Sequence, residues 1–412
     1  MMKTIIIGAG PAGVKAAETL REEDKKHEII MLSSEPYPPY SPPAMVQYFL
    51  TGEALHYWRG QDFPELNNID YRQGSHVVSV SPDMNEIELE SGEKLAYDYL
   101  VIAAGSRLYT PVEGSDKKGI HNFKSLKAGD ELLAKVRSGE VRSALIVGAG
   151  FIGVEVALML KKMELDVTML IRSRVMRSML DPETSTFVQC ILEDRGVKIL
   201  RGDDADAVAF PGDNAARAVQ MKSGKELTAD LLVAATGLKP NIEFLSGSGI
   251  ETDWGVFVDQ YLCTNMPNIY AAGDITETFD RLTGERYSHA NYPNAITQGN
   301  LAGLNILGYG LVYDGSENMN SMKHLDVPVI AAGLMEGEEI RLHRNGSLRK
   351  LWVKDNKLVG CRLAGDITGA GIFINLIRRG VDISPIRDNL SEPNFCYTHI
   401  HDTALMDNVI PS

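Results

Sequence analysis

One short pattern occurs twice, 140 residues apart, and it constrains the fold of this 412-residue chain more than any other feature. Residues 5–20 read IIIGAGPAGVKAAETL, and residues 145–160 read LIVGAGFIGVEVALML. Each is an apolar run, then GxGxxG, then a helix-like pattern. Gly8, Gly10 and Gly13 match Gly148, Gly150 and Gly153. A lone GxGxxG is weak, but one that follows a strand and opens a helix has the context a dinucleotide-binding turn requires. The first glycine permits the tight turn, the second lets the backbone approach a pyrophosphate, and the third lets helix meet strand. Free N–H groups at the helix start then face the anion.

A second pair of segments repeats as well. Tyr99–Gly105 (YLVIAAG) resembles Leu231–Gly237 (LLVAATG), at an offset of 132. In copy one the patterns predict a strand over Thr4–Ile7, a helix over Ala12–Glu22 and a strand over Glu28–Leu32. In copy two they predict a strand over Ala144–Val147, a helix over Gly153–Met163 and a strand over Asp166–Leu170. This is the βαβ pattern of a doubly wound α/β sheet. A helix is expected over Asn294–Leu307, a strand pair over Leu348–Val353 and Leu358–Leu363, and a helix over Ala370–Arg379. At ~150 residues per domain the length suggests two or three domains. The expected division is 1–112 with 243–319, then 113–242, then a C-terminal α+β domain over 320–412.

Composition narrows the function classes. Asp and Glu outnumber Lys and Arg 55 to 41, and the net charge of −14 disfavours binding to phosphate backbones. No stretch approaches the roughly 18 consecutive apolar residues of a membrane span. The opening Met1-Met2-Lys3 leads straight into a strand, with no signal-peptide pattern, so a cytoplasmic location is expected. The cysteines, Cys190, Cys263, Cys361 and Cys396, lie at least 35 residues apart. That spacing disfavours a zinc site, a cysteine-ligated cluster and a vicinal disulfide, and no metal is expected. Cys190 and Cys361 sit in apolar patterns that read as buried thiols.

The residue beyond the second strand separates the two copies. Glu35 lies 22 residues past Gly13, where a ribose-binding carboxylate belongs; the alternative is a solvated loop glutamate. Copy two has Ile171-Arg172-Ser173-Arg174 and no acid there. Arg172 either meets a 2′-phosphate, which leans towards NADP(H), or stacks on adenine and leaves NAD(H) acceptable.

Gly8–Gly13, Ala103-Ala104-Gly105, Gly148–Gly153, Ala235-Thr236-Gly237 and Ala272-Gly273-Asp274 occur in that order. The set resembles the two-dinucleotide-binding-domain flavoproteins of the pyridine nucleotide-disulfide oxidoreductase superfamily, which contains glutathione reductase. The resemblance covers essentially the whole chain. It is strongest to the ferredoxin- and rubredoxin-reductase-like branch and to NADH oxidase relatives. Pro39–Gly52 (PYSPPAMVQYFLTG) resembles a PYxRPxLSxxYL segment of that branch, and Asn291–Gly303 resembles its late flavin-binding helix. Size and lack of paired cysteines also resemble the flavin subunit of a multisubunit 2-oxoacid oxidoreductase such as phenylglyoxylate dehydrogenase.

The resemblance implies FAD in copy one, held by Gly8, Gly10, Pro11, Ala12, Gly13, Glu35, Val77, Ala104, Gly105, Gly273, Asp274, Asn294 and Ala295. It implies NAD(P)H in copy two, held by Gly148, Gly150, Phe151, Ile152, Gly153, Arg172 and Gly237. Asp274 would bond the ribityl chain, or else act only as a helix cap. Gly346–Gly365 resembles the interface domain, used for dimerisation or docking of an electron-transfer protein.

The departures from the family matter for mechanism. Relatives with a redox cysteine carry it just after the first βαβ unit or near residues 41–46, where this chain has Ser41-Pro42-Pro43-Ala44-Met45-Val46. Disulfide reduction at the flavin is therefore disfavoured. His399 and His401 lack the His-Pro and Glu of the C-terminal catalytic motif and read as surface histidines. Glu155 matches a glutamate that pairs with a lysine in this branch, but the lysine position is Gln47 and the usual arginine is Pro42. Gln47 and Glu155 are the candidate catalytic pair, Glu155 by orienting the nicotinamide; the alternative is a helix-surface glutamate. The expected activity is hydride transfer between NAD(P)H and FAD, then electron exchange with an external iron–sulfur protein. Direct reduction of O₂ and a low-turnover assembly subunit are the rival readings.

Overall fold

The computed structural model describes residues 2–53, 59–213, 215–322, 326–344 and 346–401. The chain divides into two compact units, Met1–Tyr109 with Lys124–Gly129 and Leu238–Ser316, and Thr110–Phe123 with Asp130–Gly237 and Glu317–Ser412.

The first unit is built on a five-stranded parallel sheet. Its spatial order is Ile269–Ala271, Tyr99–Ile102, Lys3–Ile7, Glu28–Leu32, Asp70–Arg72. Thr4 pairs with Ile29 on one side and Tyr99 on the other. Thr4–Ile7 and Ile29–Leu32 are buried without alternation, as strands covered on both faces must be. Pro11 opens the helix Pro11–Glu23, where its missing N–H costs no hydrogen bond. An antiparallel sheet of Val77–Ser81, Glu86–Leu89 and Lys94–Ala96 is inserted before the fourth strand.

The helix Tyr292–Ile306 packs on the helix Pro11–Glu23 through glycine. A Cβ on Gly299 would lie 2.2 Å from the Ala12 carbonyl oxygen, and one on Gly303 would lie 3.1 Å from that of Ala16. The two backbones therefore touch. Thr19 Oγ1 adds a 2.9 Å hydrogen bond to Asn300.

The second unit repeats this plan. Its parallel sheet runs Lys198–Arg201, Asp166–Ile171, Ser143–Val147, Leu231–Ala234, Ile120–His121. An antiparallel insert of Ala207–Ala209, Ala218–Met221 and Glu226–Thr228 again precedes the fourth strand. The source of the outer strand differs: it follows the repeat in the first unit and precedes it in the second. The fold is mixed α/β with two parallel sheets of one topology.

The same unit holds a five-stranded antiparallel sheet, in the order Met319–Met322, Val329–Gly333, Lys357–Ala364, Ser347–Lys354, Glu338–Arg344, with the helix Ala370–Arg379 packed on it. Two buried cations join this sheet to the segment 179–183. Lys350 Nζ donates to Asp181 at 2.8 Å and pairs with Glu339 at 3.0 Å. Arg362 is 1% exposed and donates to the carbonyls of Met179, Ala332 and Gly333. Removing one partner of such a buried pair costs about 3–5 kcal/mol. Among the described residues no helix is long and apolar enough to cross a membrane.

Candidate functional site

In the first unit the motifs gather at the carboxyl ends of adjacent parallel strands. Gly8 follows Lys3–Ile7, Ala103–Gly105 follows Tyr99–Ile102, Ala272–Asp274 follows Ile269–Ala271, and Ser33–Glu35 follows Glu28–Leu32. Ligands of open α/β sheets bind at this edge.

The three glycines of each motif do different work. Gly8 has φ +113°, and a Cβ there would lie 2.1 Å from the Ala103 carbonyl oxygen. A Cβ on Gly13 would lie 2.0 Å from the Gly8 carbonyl oxygen. Both glycines are required by the protein itself. Gly10 is not: it is extended, with φ −77° and ψ −177°, and its Cβ would meet nothing within 4 Å. The second unit repeats the contrast. Gly148 (φ +107°) and Gly153 would place a Cβ 2.4 Å and 2.6 Å from the Ala235 and Gly148 carbonyl oxygens, while Gly150 faces open space. Among the described residues no protein atom explains the middle glycine in either unit. A ligand backing onto the helix start does, so the residues fit a bound dinucleotide in each.

Around the first motif, Gly273 (φ +85°) lies against the helix starts: its Cβ would be 2.9 Å from that of Ala12 and 3.7 Å from that of Ala295. Asp274 accepts from Ser106 Oγ at 2.8 Å and Lys124 Nζ at 3.0 Å, both on Oδ2. Burial pushes its carboxyl pKa up, but the Lys124 charge and the two hydrogen bonds outweigh this and hold it below the usual carboxylate range. Asp274 is thus an ionised acceptor held in place from within its own unit, not a helix cap. The cap of Tyr292–Ile306 is Asn291, whose side chain accepts from the Asn294 N–H at 2.9 Å. Asn294 is buried and donates to the His289 carbonyl at 3.2 Å.

Glu35 is half-buried. Tyr40 Oη donates to its Oε2 at 2.7 Å, and the Lys127 N–H donates to Oε1 at 3.2 Å. The carboxylate is therefore positioned rather than free in a loop, and each oxygen keeps a lone pair for a ribose hydroxyl. Asn241 Nδ2 donates to the Ala104 carbonyl at 2.8 Å, and the Asn241 N–H to that of Gly105 at 3.0 Å. Val77 stands apart in the antiparallel sheet with its side chain in the core, which leaves only its backbone for a ligand. Gln47 lies half-buried in the helix Met45–Thr51.

In the second unit Phe151 and Ile152 open the helix Phe151–Lys162, both half-buried, and Gly237 is exposed just past Leu231–Ala234. Arg172 is exposed, and its nearest acid is Asp206 at 4.0 Å. Arg174 folds back onto its own loop and donates to the carbonyls of Arg177 and Leu180. Of the two arginines, Arg172 alone is presented to solvent. Glu155 has no hydrogen-bond or ion-pair partner among the described residues, and burial pushes its carboxyl up to about 7. Gln47 belongs to the first unit and Glu155 to the second.

The cysteines need one correction. Cys361 is buried, and burial pushes its thiol up to about 12, but Cys190 is exposed. The buried stripe of the helix Pro182–Asp194 is Thr184, Ser185, Val188 and Leu192, and Cys190 points away from it. Among the described residues no group of three His, Cys, Asp or Glu is placed to hold a metal ion. Sequence reading missed Lys124, Ser106 and Tyr40, which position the two carboxylates from far along the chain.

A family model described as pyridine nucleotide-disulphide oxidoreductase matches residues 2–299. The chain is 29% identical to an NADH oxidase of Methanocaldococcus jannaschii, over 88% of each chain. It is 28% identical to the epsilon subunit of the NADH-dependent phenylglyoxylate dehydrogenase of Aromatoleum evansii, over 93% of each. It is 32% identical to the ferredoxin–NAD(+) reductase component of the biphenyl dioxygenase system of Paraburkholderia xenovorans, over 73% of this chain and 74% of that one.

Proposed function

We propose, for a chain that belongs to the pyridine nucleotide-disulphide oxidoreductase family and is an FAD-dependent NAD(P)H oxidoreductase, that its electrons pass to or from a separate redox protein. The observation that carries the cofactor assignment is the open space at Gly10 and Gly150 beside glycines that the protein itself fills. When bound, FAD exchanges a hydride with NAD(P)H and single electrons with a one-electron partner.

The residues divide as follows. Gly8, Gly10, Pro11, Ala12 and Gly13 would cradle the FAD pyrophosphate and Glu35 its ribose, with Val77, Ala104 and Gly105 lining the nucleotide. Asp274, beside Gly273, would accept from the ribityl hydroxyls. Asn294 and Ala295 would place the start of the helix Tyr292–Ile306 beside the flavin ring, where the positive end of the helix dipole stabilises negative charge by about 0.3–1 kcal/mol. Gly148, Gly150, Phe151, Ile152 and Gly153 would cradle NAD(P)H, with Gly237 beside them and Arg172 at the adenosine ribose. Glu155, whose carboxyl titrates near neutrality, would orient the nicotinamide, with Gln47 as the polar group on the flavin side. The segment 320–412 would serve as the interface for a second copy or a larger complex. A cytoplasmic location is the expectation from the sequence.

A protein partner is supported by two relatives whose names make them components of multiprotein systems, an epsilon subunit and a ferredoxin reductase component. The likeness to an NADH oxidase favours a second reading, direct reduction of O₂. The two separate in one experiment. NADH-driven electron transfer is measured with a [2Fe–2S] ferredoxin and, in parallel, as oxygen uptake without it. Ferredoxin reduction that outpaces oxygen uptake supports the partner reading; oxygen uptake that is faster and unaffected by ferredoxin refutes it.

A further inference from the structure

The C-terminal segment of the second unit holds a side-chain cluster that the nucleotide chemistry does not use. Cys396 is exposed, and its Sγ lies 3.5 Å from His399 Nδ1 and 3.0 Å from Thr398 Oγ1. On the far side of the same ring, His399 Nε2 lies 3.1 Å from Glu392 Oε2. Glu392 is itself held, because Asn389 Nδ2 donates to its other oxygen at 2.8 Å. This is a nucleophile, a base and a group that orients the base, in hydrogen-bonded sequence.

The orientation of the ring follows from acceptor chemistry. An ionised carboxylate only accepts, so Glu392 takes the Nε2–H. Nδ1 is then the lone-pair nitrogen; it accepts from the Cys396 N–H at 3.2 Å and lies 3.5 Å from the thiol sulfur. Packing holds this arrangement. The His399 ring lies 5.5 Å from Phe395, which stacks at 5.5 Å and 16° on Phe373 of the helix Ala370–Arg379. Arg349, from the strand Ser347–Lys354, donates to the carbonyls of Glu392 and Pro393. The charged groups around the pair are thus Glu392 from its own segment and Arg349 from the sheet, the latter facing Asp366.

We propose that Cys396, His399 and Glu392 form a nucleophilic thiol site that exchanges with low-molecular-weight disulfides. His399 Nδ1 takes the thiol proton, and the Cys396 thiolate attacks one sulfur of the disulfide. A mixed disulfide forms on Cys396 as the S–S bond of the reagent breaks. The departing thiolate receives the proton from His399. One disulfide is consumed and one is made, so no outside oxidant or reductant enters. The electrostatics agree with the geometry: hydrogen bonds from Thr398 and the His399 pairing lower the Cys396 thiol, and the Cys396 and Glu392 contacts raise His399. Thr398 Oγ1 supplies a hydrogen bond to the thiolate.

Cys190 is an internal reference. It is also exposed but has no such partners among the described residues. The full-length holoprotein is treated with glutathione disulfide, or with 4,4′-dithiodipyridine for faster kinetics, and modification of each cysteine is followed by peptide mass mapping. At about pH 6.5, where an ordinary thiol is ~1% thiolate, Cys396 is expected to react about tenfold or more faster than Cys190. His399→Asn should erase that advantage at this pH, while at about pH 9.5, where an ordinary thiol is mostly ionised, Cys396 should react at similar rates in wild type and variant. Glu392→Gln should give an intermediate pH profile with the fold intact. Equal rates for Cys396 and Cys190 near pH 6.5 would overturn the proposal. So would an unchanged pH profile in both His399→Asn and Glu392→Gln.

Discussion

Replacing Gly10 by alanine separates a glycine kept for a ligand from one kept for the fold. Gly10 has an extended backbone that any residue adopts, and its added Cβ meets nothing within 4 Å. A glycine-to-alanine change at such a site stabilises a protein by about 0.4–1 kcal/mol, because the unfolded chain loses freedom. Gly8→Ala is the opposite case: φ +113° is strained for alanine, and the Cβ would sit 2.1 Å from the Ala103 oxygen. Strain of that kind costs about 1–3 kcal/mol before the overlap is counted. The two flavin-free variants should therefore differ in stability by about 2 kcal/mol or more, with Gly10→Ala at or above wild type. Flavin affinity should invert the picture for Gly10→Ala. A methyl in the path of the pyrophosphate should weaken FAD binding by at least about tenfold, or ~1.4 kcal/mol. Urea unfolding of the stripped protein gives the first quantity, and quenching of FAD fluorescence gives the second. Gly10→Ala with wild-type FAD affinity, or with a stability loss matching that of Gly8→Ala, would refute the reasoning.

Three further outcomes are expected. Glu155 has its carboxyl raised to about 7 from 4.5 by burial, so the folded state holds its proton more tightly than the unfolded chain. Wild-type stability should fall as pH rises between those values, and Glu155→Gln should flatten that part of the profile and be the more stable protein at pH 8, as read by thermal unfolding. Arg172→Ala should raise the KM for NADPH more than that for NADH in steady-state kinetics; equal rises would mean that the side chain stacks on adenine instead of meeting a 2′-phosphate. Replacing all four cysteines, with alanine at buried Cys361, should leave NAD(P)H-driven ferricyanide reduction per bound flavin within a few-fold of wild type. The Cys361 change should remove ~1 kcal/mol of stability. Lost turnover with flavin reduction intact would show that a thiol carries electrons onward.

The parallel sheets were legible because their signals are local. Three or four consecutive apolar residues, a glycine turn and a helical period specify a βαβ unit within about 30 residues, and the repeat doubles that signal. The late helix was placed within two residues of its observed bounds, Tyr292–Ile306, and the helix Ala370–Arg379 at its observed bounds. What stayed hidden is carried by contacts distant in sequence. Lys124 reaches Asp274 across 150 residues, and nothing near either residue announces it. The exposure of Cys190 was readable in principle. It lies two residues from buried Val188, about halfway round the helix, yet its apolar neighbours Ile191 and Leu192 drew the reading inward. His399 was judged against a remote family motif, and its spacing of three residues from Cys396 was passed over.

On the proposed reading, two copies of one fold hold two different dinucleotides in a single enzyme. Anaerobic mixing of the purified holoprotein with NADH or NADPH tests it most directly, with the flavin absorbance followed in time and the released cofactor identified. About one FAD per chain is expected, bleached by the nicotinamide nucleotide, with bleaching lost and FAD retained in Gly150→Val. Release of FMN or of no flavin, or bleaching that survives in Gly150→Val, would contradict it.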